Sequence, residues 1–447
     1  MQSKEEQYIR ILEGSNKADY LSPSQYTADA YQSTGDKTFV FTTSFVTGPV
    51  LLSYVSWVLN DAVKRGIKKL FFIARDGYVM KEIAEELIKN KDITLHYLYC
   101  SRYVIRQSLF VIDPEYALDK CCSCGSYVTA EKVLQRVGLD SNERDKVLAC
   151  IQEDNPYEPL DRTGLSKLKQ RLQSCGLFWE YSKKHARIQL DQMLAYFQQE
   201  AFDDTRTAIV DSGWLGSMQA GLQKILSYNA GCKVELTGYY FGMYKREDAG
   251  GFYRCYFFSE TRGFSHIAHF NCNLFECLCA ANHGMTTGYR KVVGRMEPLF
   301  GVWESPWNVQ LQLDICKTYA RLFASKNAEW YAEDPANVDM VSKLLCLFIK
   351  RPSKDEAVVY GRIPFDDDAF ENRLIPLACP LSKTELSNLL LFRRLYRKIR
   401  RLRSEAPFWI EGTLALSENV PFLYRLDFKF QNYIINIKNL FTRLISK

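Results

Sequence analysis

Leu70-Phe71-Phe72-Ile73-Ala74-Arg75-Asp76-Gly77 carries an unbroken apolar stretch straight into a cation, a carboxylate and a glycine. A run without polar alternation suits a strand covered on both faces, the situation of a parallel sheet. After the glycine, Val79, Met80, Ile83, Ala84 and Leu87 recur at helical spacing, so the unit reads strand, turn, helix. Residues 93–99 are a second β-rich run, ending at Cys100-Ser101-Arg102, and the spacing predicts a parallel neighbour reached by a crossover. Upstream, Leu51, Leu52, Val55, Val58, Leu59, Ala62 and Val63 predict a helix that Gly66 stops.

The same grammar returns at Ala208-Ile209-Val210-Asp211-Ser212-Gly213-Trp214-Leu215-Gly216-Ser217. Here the reading is a strand over 207–210, a turn from Asp211 to Gly216, a helix through Leu226 and a further strand over 234–241. Between the two units, from about residue 120 to 202, charged and apolar residues alternate at helical spacing. They predict a helical insertion that shapes an acceptor surface. Past residue 300, helical patterns over 309–324, 341–349 and 383–403 are separated by Pro352, Pro364, Pro376 and Pro380. The expected fold is α/β: a parallel sheet with strand-turn-helix phosphate sites in a core over 1–300, and a mainly helical region over 301–447.

Composition narrows the function classes. Of 447 residues, 47% are hydrophobic and 25% charged, which suits an ordinary folded chain and excludes extensive disorder. No apolar run reaches the roughly 20 residues a membrane-crossing helix needs. Residues 1–20 are charged and lack the apolar stretch of a secretory signal, so the expectation is cytoplasmic, with the 14 cysteines as reduced thiols. A net charge of +6 favours phosphate-rich or anionic-lipid partners, and no recognition motif accompanies it to suggest nucleic acid. Aromatic residues, 14% of the chain, serve cores and sugar-stacking surfaces alike.

Both turns stand where a strand's carboxyl end meets a helix N-terminus, a position with free N–H groups and a dipole that favours anions. Arg75 is suited to fork onto a diphosphate, Asp76 to accept from ribose hydroxyls or Mg²⁺-bound water, and Gly77 to permit close backbone approach. In the second turn, Asp211 is suited to ribose hydroxyls. The backbone around Ser212, Gly213, Trp214 and Gly216, with Ser217 and Gln219, is suited to a terminal phosphate. The plainer reading of Arg75-Asp76-Gly77 is a turn with a surface ion pair. Neither motif has the spacing of a dinucleotide fingerprint or a P-loop.

Phe71-Phe72-Ile73-Ala74-Arg75-Asp76-Gly77-Tyr78, Tyr99-Cys100-Ser101-Arg102 and Val210-Asp211-Ser212-Gly213-Trp214-Leu215-Gly216-Ser217 together resemble the glycan phosphoribosyltransferase module of bacterial ribofuranosyltransferases. Leu274-Phe275-Glu276 ahead of Gly288-Tyr289 adds to the likeness, which spans residues 39–289 and, more loosely, Phe408-Trp409-Ile410-Glu411-Gly412. The resemblance implies a divergent phosphoribosyltransferase-like fold with phosphoribosyl diphosphate (PRPP) as donor and Mg²⁺ as cofactor. It also implies a glycan acceptor of a surface polysaccharide such as O-antigen or capsule, and a basic helix near the C-terminus suits a lipid-linked acceptor at the inner face of the plasma membrane. Arg75, Ser101 and Arg102 would meet the donor, Asp76 the metal or ribose, and Arg106 and Tyr289 are further candidates. Asp211 and Glu276 compete for ribose binding or acceptor deprotonation. Family members carry a phosphatase module, but this chain has no apolar strand leading into its Asp-x-Asp-x-Thr/Val nucleophile motif, so a separate phosphatase is expected.

Other features compete. His266, His269, Cys272, Cys277 and Cys279, and Cys121, Cys122 and Cys124, lack the spacing of a standard zinc finger and read as reduced, buried side chains. Arg393, Arg394, Arg397, Lys398, Arg400, Arg401 and Arg403 interleave with apolar residues in a basic amphipathic helix suited to an anionic leaflet or to a solvated face. A sugar-nucleotide glycosyltransferase using Asp366-Asp367-Asp368, and a non-catalytic, membrane-associated assembly factor, are the alternatives.

Overall fold

A strand apolar at every position has two faces to cover, and β1 (Lys69–Ile73) is covered on both. By the two-residue period of a strand, Leu70 and Phe72 enter one hydrophobic cluster while Phe71 enters another with Ile73. The structure, a computed structural model, describes residues 3–14, 19–88, 92–123, 125, 127–202, 206–247, 250–267, 269–302, 308–326, 335–365, 374–399 and 406–445. Cys124, Asp366-Asp367-Asp368 and Arg400, Arg401 and Arg403 lie outside the described residues.

With β2 (Thr94–Leu98), β3 (Thr207–Trp214), β4 (Thr237–Met243) and β5 (Phe252–Phe258), β1 forms a five-stranded parallel sheet in the order β2-β1-β3-β4-β5. Helices Gly48–Lys64, Gly77–Leu87 and Val309–Lys326 cover one face. Helices Arg102–Ile112, Gly176–Gln199 and Ser217–Ala230 cover the other, and the expected insertion packs there as Ala130–Val137, Ser141–Cys150 and Arg162–Gln173. The mixed α/β class and the parallel sheet are as the apolar runs predict.

Three expectations need correction. The division near residue 300 does not separate two cores: Leu313, Tyr319, Phe348 and Trp409 belong to the same cluster as Leu70 and Phe72, so the C-terminal helices complete one face of the sheet. The expected turn at Asp211 is strand, because Asp211, Gly213 and Trp214 continue to pair with Tyr240, Gly242 and Met243 of β4. Gly213 holds that pairing at φ +117°, where a Cβ would lie 2.2 Å from the Gly242 carbonyl oxygen. The pattern over 383–403 breaks into helices Lys383–Asn388 and Leu391–Ile399. Among the described residues, one helix, Lys37–Lys64, is long and apolar enough to cross a membrane, and 89% of its apolar window is buried inside the protein. Two antiparallel strands absent from the sequence reading, β6 (Thr286–Val292) and β7 (Arg295–Phe300), stand beside the sheet's carboxyl edge.

Candidate active site

The chain passes from β1 to β2 on one side and resumes with β3 and β4 on the other, so a crevice opens at the carboxyl ends of β1 and β3. A cavity of about 170 Å³ occupies this place. Arg75 and Asp76 reach it from the end of β1, Ser101 and Arg102 from the end of β2, and Asp211 through Trp214 from β3 itself. Gly216 and Ser217 close it at the start of a helix, and Glu276 enters from helix Cys272–Cys277.

The two motifs, far apart in sequence, meet directly: the Ser212 hydroxyl donates to the Asp76 carboxylate. Continuation of β3 past Asp211 makes this contact, since it keeps Ser212 on the same face as Ala208 and Val210, where helix Gly77–Leu87 packs. Beneath Asp76, Gly77 lets its helix start against β1, where a Cβ would come within 2.7 Å of the Phe72 backbone. Gly77 therefore acts in packing and does not line the cleft. Gly216, at φ +69°, precedes helix Ser217–Ala230 with no side-chain cap, leaving the first N–H groups of that helix turned to the cavity end. Ser101 instead caps helix Arg102–Ile112, accepting from the Val104 N–H at 3.3 Å and donating to the Thr286 carbonyl at 2.6 Å. Its hydroxyl is committed to scaffolding.

Three carboxyls share the cavity, and each titrates high. Desolvation raises Asp76, opposed by the Ser212 hydrogen bond and by Arg75 and Arg102. Desolvation, then the nearby Asp76 charge, lifts Asp211 well above the usual carboxylate range. Desolvation and Asp76 push Glu276 up to about 7, against the pull of Arg102, Arg75 and a 2.6 Å bond from Trp214 Nε1. Such a set lowers its energy by protonation or by taking up positive charge. Asp211 is anchored through its main chain, whose carbonyl accepts from the Tyr54 hydroxyl at 2.9 Å.

Three candidates fall elsewhere. Gln219 is buried behind the phosphate end, donating to the Leu236 carbonyl at 2.9 Å and accepting from the Tyr240 hydroxyl at 2.7 Å. Tyr289 is buried, stacked on Tyr196, with its hydroxyl on the Tyr99 carbonyl at 2.8 Å. Arg106, one turn beyond Arg102, acts on Tyr116 rather than lining the cavity. Conversely, Met285 and Thr286 line the cleft without having been singled out. No motif marks them: the Ser101 bond brings their loop in. His266, of the His and Cys cluster, turns Nδ1 to the Phe257 carbonyl at 2.9 Å and stacks on that ring. Among the described residues, no three His, Cys, Asp or Glu side chains converge closely enough to hold a metal ion by themselves.

No protein-family model matches the chain, and a search of curated proteins finds no match.

Proposed function

We propose that the cleft binds PRPP and transfers its 5-phosphoribosyl group to a hydroxyl of a glycan acceptor, releasing diphosphate. The observation that carries this reading is the Ser212–Asp76 contact, which joins an arginine-flanked strand end to a glycine-opened helix N-terminus across one crevice. Such a site has a cationic end for a diphosphate, an N–H end for a monophosphate and carboxyls between them for a polyhydroxylated ring. The same features support a divergent phosphoribosyltransferase-like fold as part of this reading.

In the reaction, the C1–O bond to diphosphate breaks with its electron pair leaving on the diphosphate. A new C1–O bond forms to the acceptor, and the acceptor's proton passes to a carboxylate. Arg75 and Arg102 bind and orient the diphosphate and stabilise its departing charge. Gly216 and Ser217 hold the 5-phosphate, which fixes C1 relative to the carboxyls. Glu276, at about 7, is matched to receiving the acceptor's proton near neutral pH. Asp211 then faces the ribose hydroxyls as a hydrogen-bonding partner. An all-oxygen set of mutually repelling carboxyls fits Mg²⁺ held jointly with substrate oxygens, and Asp76 is the residue that would hold it. Mg²⁺ when bound would neutralise diphosphate charge. Removal of the 5-phosphate falls to a separate phosphatase. The glycan belongs to bacterial surface polysaccharide synthesis, with the acceptor lipid-linked and the protein peripheral at the inner membrane face.

Calorimetric titration with PRPP, with and without Mg²⁺ and against nucleotide sugars, tests the donor assignment. Saturable PRPP binding that nucleotide sugars do not displace is expected. Asp211→Asn should fold normally, because Tyr54 bonds its backbone, yet lose transfer. Displacement by a nucleotide sugar in place of PRPP, or full turnover by Asp211→Asn, would overturn the assignment.

A further inference from the structure

Near Arg75, outside the lining of the cleft itself, lies a cluster of rings that the proposed donor contacts do not use. Tyr78 lies in the first turn of helix Gly77–Leu87, Tyr97 is next to last in β2 and Tyr99 follows its end, His283 precedes β6, and Phe300 ends β7. Tyr97 meets Tyr78, Tyr99 and His283 edge-on at 5.4, 5.0 and 5.7 Å between centroids. Tyr99 lies 5.5 Å from Phe300, and His283 lies 4.8 Å from it. The cluster adjoins the cleft through chain and charge. Tyr99 leads directly into the cleft-lining Cys100-Ser101-Arg102, His283 lies just before Met285, and both Arg75 and Asp76 act electrostatically on Tyr97.

These rings are built as a surface. Tyr78, Tyr97, Tyr99 and His283 are half-buried, whereas Phe300 is 43% exposed beside Leu299 at 37%. A ring cluster of the core would be closed over, as Trp409 is. The polar tips are fixed beneath it. His283 Nδ1 faces the Gly284 carbonyl at 2.9 Å and so carries the proton, which leaves Nε2 to accept from the Tyr97 hydroxyl at 2.7 Å. Burial and the nearby Arg75 charge lower the imidazole pKa and keep it neutral. The result is a rigid, uncharged aromatic ledge at the arginine end of the cleft, the end that holds the leaving diphosphate and therefore C1. Aromatic faces of this kind suit the C–H faces of a pyranose ring.

We infer that the ledge formed by Tyr78, Tyr99, His283 and Phe300 is the acceptor subsite, a carbohydrate platform that lays a sugar ring of the glycan against Phe300 and Tyr99 beside C1 of the donor. This assignment rests on the donor reading for its role in transfer. As a carbohydrate site it stands on the rings themselves. The test is binding of the full-length protein to an array of bacterial capsule and lipopolysaccharide oligosaccharides, for wild type, Phe300→Ala and Phe300→Trp, with melting curves confirming each fold. Wild type should bind a subset of the array. Phe300→Ala should lose about tenfold in affinity, the order of one ring's contact, and Phe300→Trp should restore it. Array binding by Phe300→Ala equal to that of wild type, or no oligosaccharide bound by wild type, overturns the ledge. A wild type that binds oligosaccharides but shows no calorimetric response to PRPP overturns the donor reading instead and leaves the platform standing.

Discussion

Replacing Glu276 by glutamine isolates the electrostatic claim at the centre of the cleft. The side chain keeps its size and an Oε1 acceptor for Trp214 Nε1, now 2.6 Å away, but loses the ability to ionise. Desolvation and the Asp76 charge move the Glu276 carboxyl from an ordinary 4.5 to about 7. Between those values the folded protein retains a proton that the unfolded chain has released. Stability therefore falls as pH rises through this window and stays lowered above it. At ~1.4 kcal/mol per pH unit the penalty is at most roughly 3 kcal/mol. Because the group is partly exposed and titrates together with Asp76 and Asp211, about half of that is expected to be measured. Denaturant unfolding of wild type and Glu276→Gln at pH 5 and pH 8 reads it directly. The two proteins should be nearly equal at pH 5, and the variant more stable by about 1–2 kcal/mol at pH 8, while its transfer rate drops about a hundredfold or more. If Arg75 and Arg102 outweighed burial, the wild type would gain on the variant as pH rises. That result, or a difference independent of pH, refutes the reasoning.

Gly213→Ala places a Cβ 2.2 Å from the Gly242 carbonyl oxygen at φ +117°, and both partners are backbone, so the strands must part. A loss of about 2–4 kcal/mol is expected in denaturant unfolding. Gly66→Ala, also at positive φ but with open space around it, should cost only about 1 kcal/mol, and equal costs would disprove the close-approach account. At the C-terminal end, Phe392, Phe422, Leu423, Phe430 and Tyr433 are exposed on helices Leu391–Ile399 and Phe422–Ile445, whose charged residues other than Asp427 are all basic. The protein should cosediment with phosphatidylglycerol-containing vesicles in a salt-sensitive manner, and Phe422→Asp with Phe430→Asp should release it. Sedimentation unaffected by the substitutions removes the membrane contact.

How far the sequence reaches depends on whether a residue's placement is decided locally. The run at Leu70–Ala74 was legible because burial on both faces leaves no alternation to confuse, and the helix after Gly77 follows from its own periodicity. Asp211-Ser212-Gly213 misleads for the opposite reason. Its residue types belong to turns, but pairing with Tyr240 and Gly242 overrides that preference, and the glycine is there for strand proximity. The hairpin over 286–300 escapes notice because exposed charges fall on both of its faces, Arg290, Arg295 and Glu297 on one and Lys291 on the other, which obscures any apolar period. The same split runs through the site. Arg75, Asp76, Arg102, Asp211 and Glu276 announce themselves by charge at strand ends or in apolar surroundings. Thr286 and His283 enter only through the bonds from Ser101 and Tyr97, made across 185 and 186 positions of chain. Most remote from the sequence is the protonation state of Glu276. Its elevation is a difference between desolvation with Asp76 on one side and two arginines with Trp214 on the other, and every one of those contributions is set by distance. The residue types needed for the proposed chemistry can thus be read along the chain, whereas their protonation is a property of the folded cleft alone.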